Sequence, residues 1–160
     1  MKVAAILMVI VLVASIGGVG YLYLTANVTV VAVGVTATEA TAQQAAFEQY
    51  RDALAAGSAT GTIFQTDAKL GDAENYQFFT YTVRLRNNSM LPCDMVEMQV
   101  TPRDGDVLQL PGNRSLVLAA RSTGDISATV LSDIKSNGVR EVILTYYVWG
   151  IPFTVKTTCS

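Results

Sequence analysis

The sequence predicts a mainly β protein: an antiparallel immunoglobulin-like β-sandwich with one inserted helix, preceded by an N-terminal transmembrane helix. The first observation is an uncharged run of 22 residues, Val3–Leu24, of which 18 are apolar. Beyond this run, apolar residues recur mostly at every second position, which is the period of a half-buried strand. Turn-forming pairs such as Asp104-Gly105 and Asn137-Gly138 separate these segments at the short intervals typical of sandwiches and barrels.

The apolar run predicts a membrane anchor, residues 1–26. A helix of 22 residues is about 33 Å long, and the hydrocarbon core of a bilayer is roughly 30 Å thick. The alternative is a cleaved signal peptide, but the run is longer than such a peptide needs and no small-x-small site follows it. Tyr21 and Tyr23, at its end, suit the membrane–water interface. We therefore expect an uncleaved signal-anchor.

Positive charges predict the orientation of this anchor. Lys2 precedes the apolar run, and the next basic residue is Arg51. The positive-inside rule then places the N-terminus in the cytoplasm and the remainder, residues 27–160, outside. We expect that remainder to be one extracytoplasmic β-sandwich domain.

The domain is predicted to begin with a strand, continue with its only helix and end with strands. The helix is expected at about 42–56, starting with the capping-box spacing of Thr41 and Gln44 and stopping at Gly57. Its narrow apolar stripe, which includes Phe47, indicates that it lies on a sheet or caps the end of one. The nine predicted strands are 27–38, 61–66, 76–87, 93–101, 107–110, 115–120, 125–131, 139–149 and 152–158.

Composition excludes several classes of function. The chain contains no histidine, so Ser-His-Asp and Cys-His chemistry and histidine-ligated metals are ruled out. Residues 25–160 carry 10 basic and 13 acidic residues, which argues against a nucleic-acid partner. Asp104 and Asp106 fall short of a calcium loop, and a hairpin turn explains Asp104-Gly105. We expect no catalytic residue, no cofactor and no metal ligand.

Cys93 and Cys159 are the two cysteines of the chain. An extracytoplasmic location would allow them to form one disulfide, which would tie the last strand to the strand that starts at Cys93. The alternative is two free thiols. Geometry decides between these alternatives, and the sequence does not contain it.

Two groups of residues are candidates for partner binding. Arg84 and Arg86 share a strand face, which either binds an anionic partner or is an exposed outer sheet face. Tyr147, Trp149 and Phe153 cluster at the final hairpin, where an exposed aromatic ring would stack on a partner. The alternative for these three residues is that they fill one end of the sandwich core, and we expect this for Tyr147 and Trp149.

The segment Tyr81-Thr82-Val83-Arg84-Leu85-Arg86-Asn87-Asn88 and the segment 118–131, placed after an anchor and a strand–helix opening, resemble uncharacterised single-pass surface proteins of Firmicutes. The extracellular parts of those proteins are similar to immunoglobulin-like or LEA-type sandwich modules. The resemblance implies a β-sandwich on the cell surface and no catalytic residues.

These observations favour a non-enzymatic, membrane-anchored extracytoplasmic module that binds or scaffolds a protein or cell-wall partner. Its contact with the membrane is expected through residues 3–24. The first alternative is a pilin-like structural subunit of a surface or secretion assembly, since pilins also place an apolar helix before a β-rich head. The second is an enzyme that uses carboxylates or a metal, which requires a cleft holding at least two of Glu39, Glu48, Glu74, Glu97 and Glu141.

Overall fold

The computed structural model describes residues 2–65, 69–112 and 116–160. Helix α1 is followed by strand β1, a short 3-10 helix at Ala40–Gln43, helix α2 and the remaining strands, with a second 3-10 helix at Ala73–Asn75 before β3. Each predicted strand has a counterpart, although Thr66 and Ser115 lie outside the described residues. The bounds are α1 Lys2–Leu24, β1 Val28–Glu39, α2 Gln44–Ala55, β2 Thr62–Ile63, β3 Tyr76–Asn87, β4 Cys93–Val100, β5 Asp106–Gln109, β6 Leu116–Leu118, β7 Thr123–Asp133, β8 Arg140–Val148 and β9 Ile151–Cys159.

The strands form two antiparallel sheets. The five-stranded sheet has the order β1-β3-β7-β5-β2, and the four-stranded sheet has the order β6-β4-β8-β9. Their inner faces supply one continuous core, because alternate residues of each strand point between the sheets. The predicted fold class is confirmed: an immunoglobulin-like sandwich with one helical insert, preceded by an apolar N-terminal helix. Fully or almost fully buried core residues include Tyr81, Val83, Leu85, Val96, Val100, Val130, Val142, Leu144, Tyr146 and Val148.

A second, smaller core lies on the outer face of the five-stranded sheet, under α2. Phe47 of α2 is fully buried there. It packs in a cluster with Phe78 and Leu131, which are cross-strand partners in β3 and β7. Tyr50 and Leu54 also pack against this cluster, as the predicted apolar stripe requires. The helix therefore covers one end of the outer sheet face.

The two ends of α2 differ in how well the sequence predicted them. Gly57 follows the helix with φ +65°, and the amide of Ser58 donates to the carbonyl of Ala53 (2.8 Å), as in a Schellman motif. The predicted capping box is wrong: the N-cap of α2 is Gln43, which makes no side-chain capping bond. The preceding 3-10 turn moves the helix start past Thr41.

The sandwich has two distinguishable ends. α1 is joined to β1 by Thr25–Asn27, and β1 starts beside the end of β3, since Val28 pairs with Asn87. The β8–β9 turn and the β3–β4 loop are at this same end, because Asp94 pairs with Tyr147. We call it the anchor end; it comprises residues 25–29, 86–95, 117–124 and 147–152. The opposite end, where β1 and β7 finish and β8 starts, is called the far end.

Candidate functional site

Within the described residues, the two sheets finish in four edge strands, and three of these are protected. β2 and β6 contain only 2 and 3 residues. β9 carries Pro152 and Lys156, and proline and lysine both discourage pairing with another strand. The fourth, β1, has 12 residues and no charge before Glu39 at its end. β1 is therefore the long edge strand without proline or an interior charge; part of it lies close to β9, which does not pair with it.

The side chains of β1 remain largely exposed although the strand is fully paired on one side. A bulge shifts its register between Val30 and Ala32, and Val31 at the bulge is 55% exposed. Val33 pairs with the buried Val83 and so belongs to the inner sheet face, yet it is 38% exposed. The four-stranded sheet thus leaves part of the inner face of β1 uncovered.

Arg84 and Arg86 lie exposed on the outer face of the same sheet. Arg84 makes a two-pronged ion pair with Asp125, with Nε–Oδ1 and Nη2–Oδ2 distances of 2.7 and 2.8 Å. The hydrogen bond from Arg84 lowers the pKa of Asp125 and raises the pKa of Arg84. The charge of Arg84 is therefore already paired on this face, and an anionic partner would have to compete with Asp125 for it.

The aromatic residues of the final hairpin take three different environments. Tyr146 is buried, and Phe153 stacks on it with ring centroids 5.4 Å apart. Phe153 also contacts Tyr23 of α1 at 5.4 Å, whereas Tyr147 is half-buried. Trp149 is 52% exposed at the tip of the turn. The expectation that Tyr147 and Trp149 belong to the core is wrong. Tyr147 lies on the outer sheet face, because its neighbours Tyr146 and Val148 point into the core, and Trp149 lies beyond the end of the strand.

The structure rules out a disulfide between Cys93 and Cys159 within one chain; both are buried free thiols. Cys93 is adjacent to Asp94, which pairs with Tyr147, whereas Cys159 pairs with Arg140. These two β8 positions are seven residues apart, or about 23 Å along the strand, and a disulfide requires Cα atoms within roughly 7 Å. Burial raises the pKa of both thiols, so neither is an activated nucleophile.

A buried ion pair at the far end went unrecognised in the sequence. Arg140 and Asp106 have fully buried side chains, and the Nη2–Oδ1 distance is 2.7 Å. Arg140 also donates to Ser136 Oγ and to the carbonyls of Asn137 and Val139. Burial opposes its charge, but the hydrogen bond and charge of Asp106 outweigh this and raise the pKa of Arg140. The pair ties the start of β5 to the loop before β8.

A cleft of about 410 Å³ opens beside β4 where its partner β6 ends. The buried side chain of Gln109 takes the place of a neighbouring strand there: its Nε2 donates to the carbonyl of Met98, and its Oε1 accepts from the amide of Val100. Among the described residues that line the cleft, Glu97 is the one ionisable group. The two-carboxylate arrangement needed for an enzyme is therefore not found in this cleft.

Two of the candidate acids line the same depression elsewhere on the surface. Glu48 and Glu74 line a depression of about 270 Å³ beside α2, together with Arg51 and Asp72. Glu74 and Asp72 are exposed to solvent. Across the described part of the chain, no group of three or more Cys, Asp or Glu residues is placed to hold a metal ion.

No protein-family model and no curated protein matches this chain. Solved structures that are similar to it have low sequence identity. The GAE domain of yeast GGA1 is 15% identical with a TM-score of 0.39, covering 57% of this chain and 95% of that one. A FixG-related protein from Vibrio parahaemolyticus is 9% identical with a TM-score of 0.34, covering 51% and 76%. The GAE domain of GGA2p from Saccharomyces cerevisiae is 7% identical with a TM-score of 0.34, covering 56% and 90%.

Proposed function

We propose that this protein is a non-enzymatic, membrane-anchored module that binds an extended segment of a partner protein on the extracytoplasmic side. The observation that carries the proposal is the unprotected edge of β1. Its free backbone groups can pair with an added strand, which is a common mode of peptide recognition. A strand added there would also cover Val33, which the four-stranded sheet leaves partly open.

The anchor in this proposal is α1. Val3–Leu24 is long and apolar enough to cross a membrane, and residues 3–19 are exposed rather than packed against the rest of the chain. Lys2 on one side and Tyr21 and Tyr23 on the other support an uncleaved helix with its N-terminus in the cytoplasm. The resemblance to single-pass surface proteins of Firmicutes supports the same arrangement.

The pattern of β1 specifies the kind of segment that would bind. Val33 and Val35 are on the inner side of the strand, opposite Val83 and Tyr81, and would contact alternate apolar side chains of the ligand. On the outer side, Ala32 pairs with Arg84 and is small, so it allows close approach. We therefore propose an extended, uncharged segment with apolar residues at every second position.

Site-specific photocrosslinking in whole cells tests this proposal. A photoreactive amino acid at Val31, which is exposed on β1, is expected to crosslink to a second polypeptide. The control position is Thr158, which is exposed on the protected edge strand β9. Val33→Lys should abolish the Val31 crosslink, because a charge on an edge strand discourages strand addition. Equal crosslinking from Val31 and Thr158, or no effect of Val33→Lys, would overturn the proposal.

The mass of the product distinguishes the partner-binding module from the structural subunit. The same edge of β1 on two copies can pair antiparallel and join their sheets. A product with the mass of two copies of this chain would therefore favour the pilin-like alternative. A product containing a different polypeptide would favour the binding module.

A further inference from the structure

The anchor end of the sandwich presents large apolar side chains to solvent. Trp149 and Ile151, in and after the β8–β9 turn, are 52% and 46% exposed. Met90, in the β3–β4 loop, is 62% exposed. Exposed large apolar groups gathered at one place on a soluble surface usually mark a contact site.

Trp149 is held at the tip of its turn against its backbone preference. Trp149 and Gly150 form a two-residue connection between β8 and β9, with φ values of +51° and +77°. Two positive φ values in such a hairpin indicate a type I′ turn, whose first central position normally holds asparagine, aspartate or glycine. A bulky aromatic residue there is unfavourable, which points to a role for its exposed ring.

The chain keeps this end close to the end of α1. Only Thr25–Asn27 separate α1 from β1, and three extended residues span about 10 Å. Ala26 packs against the main core, and Tyr23 of α1 contacts Phe153 of β9. A sandwich tethered in this way cannot move far from a membrane that α1 crosses.

The charges at the anchor end suit a lipid surface. Its four segments contain two arginines, Arg86 and Arg121, and one acid, Asp94. The domain as a whole carries more acidic than basic residues. The anchor end therefore lacks the net negative charge that would repel anionic headgroups, and tryptophan is enriched at the headgroup level of membranes.

We infer that the anchor end rests on the outer leaflet of the bilayer that α1 crosses, with Trp149, Ile151 and Met90 inserted at the headgroup level. This inference rests on the proposed membrane anchoring. It adds a second, surface contact that fixes the orientation of the sandwich. β1 then runs away from the membrane over 12 residues, or about 40 Å, so its free edge stands accessible to a partner.

Fluorescence of the full chain tests this inference, since Trp149 is its single tryptophan. The protein is reconstituted into phosphatidylcholine–phosphatidylglycerol vesicles, with and without lipids brominated near the headgroup end of the acyl chains. We expect the brominated lipids to reduce Trp149 emission about twofold, because a ring at the headgroup level lies beside the bromine atoms. Acrylamide in the water should quench Trp149 weakly.

The matched control moves the tryptophan to the far end. Ile134 follows β7 at the far end and is 40% exposed. In the double variant Trp149→Phe/Ile134→Trp, acrylamide should quench strongly and brominated lipids should have no effect. Far-ultraviolet circular dichroism establishes that this variant keeps its sheet content.

Flotation of the same vesicles separates the two proposals. If the protein floats with the vesicles but brominated lipids leave Trp149 unquenched, the surface contact is overturned while membrane anchoring through α1 is supported. Protection of Trp149 from acrylamide without quenching by lipid also overturns it and indicates a protein contact. If the protein does not float, the membrane anchor of the proposed function fails, and this inference fails with it.

Discussion

The buried ion pair between Arg140 and Asp106 makes a quantitative prediction about stability. In Arg140→Met the carboxylate of Asp106 stays buried and loses both hydrogen bonds from the guanidinium, at 2.7 and 2.9 Å. It keeps one donor, the amide of Arg103 at 2.8 Å. Removing one partner of a buried pair typically costs about 3–5 kcal/mol, because an unpaired charge remains in the interior.

The double variant Arg140→Met/Asp106→Leu separates the charge from the other contacts. Without the carboxylate, no unpaired charge is left in the interior. What remains is the loss of the guanidinium donors to Ser136 Oγ and to the carbonyls of Asn137 and Val139, and the loss of the acceptor for the amide of Arg103. The single variant loses the same three donors and also leaves a buried charge unpaired. The one further hydrogen bond that the double variant loses costs about 1 kcal/mol, less than an unpaired buried charge costs, so the double variant should be the less destabilised of the two.

Urea unfolding of the full chain in detergent micelles measures both variants, with circular dichroism reporting the sheets and Trp149 emission reporting the hairpin. With a slope of about 2 kcal/mol per molar urea, Arg140→Met should lower the midpoint by roughly 2 M. The control is Arg84→Met, which removes the exposed two-pronged partner of Asp125 and should leave the midpoint unchanged within error. If the single variant unfolds at the wild-type midpoint, or no earlier than the double variant, an unpaired Asp106 carboxylate is not costly in this interior.

Three further predictions concern the buried Tyr81, the two buried thiols and the backbone at Gly61. Burial raises the pKa of Tyr81 to about 12, and its hydroxyl has no hydrogen-bond partner among the described residues. The contribution of Tyr81 to stability should therefore be constant below pH 10, the pKa expected in the unfolded chain, and fall by about 2–3 kcal/mol as the pH rises to 12. This fall adds to the losses from Cys93, Cys159 and Tyr146, whose pKa values burial also raises. Tyr81→Phe should remove only the Tyr81 part in pH-dependent urea titrations, and an unchanged slope between pH 10 and 12 would contradict the assignment. Mass spectrometry after alkylation should find Cys93 and Cys159 unlabelled in the native chain and both labelled in urea without reductant, whereas a need for reductant would disprove the strand register. Gly61→Ala should destabilise the protein by about 1–3 kcal/mol in thermal melts, since Gly61 has φ +119° and an added Cβ would overlap the carbonyl oxygen of Gln109. A wild-type melting temperature would show that the close approach of the Gly61 backbone to Gln109 is not required.

Local patterns in the sequence were sufficient to predict most helices and strands of the fold. The apolar run of α1, the period of two in β3 and the αL glycine after α2 each depend on neighbouring residues, so they can be predicted one segment at a time. The start of α2 could not, because a 3-10 turn intervenes after Glu39. The bulge at Val31 was also missed, since a bulge is defined only by the register of the partner strand.

The candidate site depended on information that no single segment contains. Whether a strand lies at the edge of a sheet follows from the order of strands, so the sequence of β1 does not reveal that one of its two hydrogen-bonding edges has no partner strand within the described sheets. The exposed positions of Arg84 and Arg86 followed from alternation, but the ion pair of Arg84 depends on its register with β7. Which aromatic residues of the final hairpin are buried and which are exposed could be assigned only once the position of the β8–β9 turn was known.

The sandwich class, the anchor-like helix and the order of the elements could be predicted from the sequence alone, because these follow from hydrophobic periodicity along the chain. The tertiary structure was needed to establish that Cys93 and Cys159 are far apart, that Asp106 is buried against Arg140, and that Phe153 of the final hairpin contacts Tyr23 of α1. These are spatial relations between residues distant in sequence. Their geometry is set by how the two sheets pair and pack, which composition and spacing do not encode.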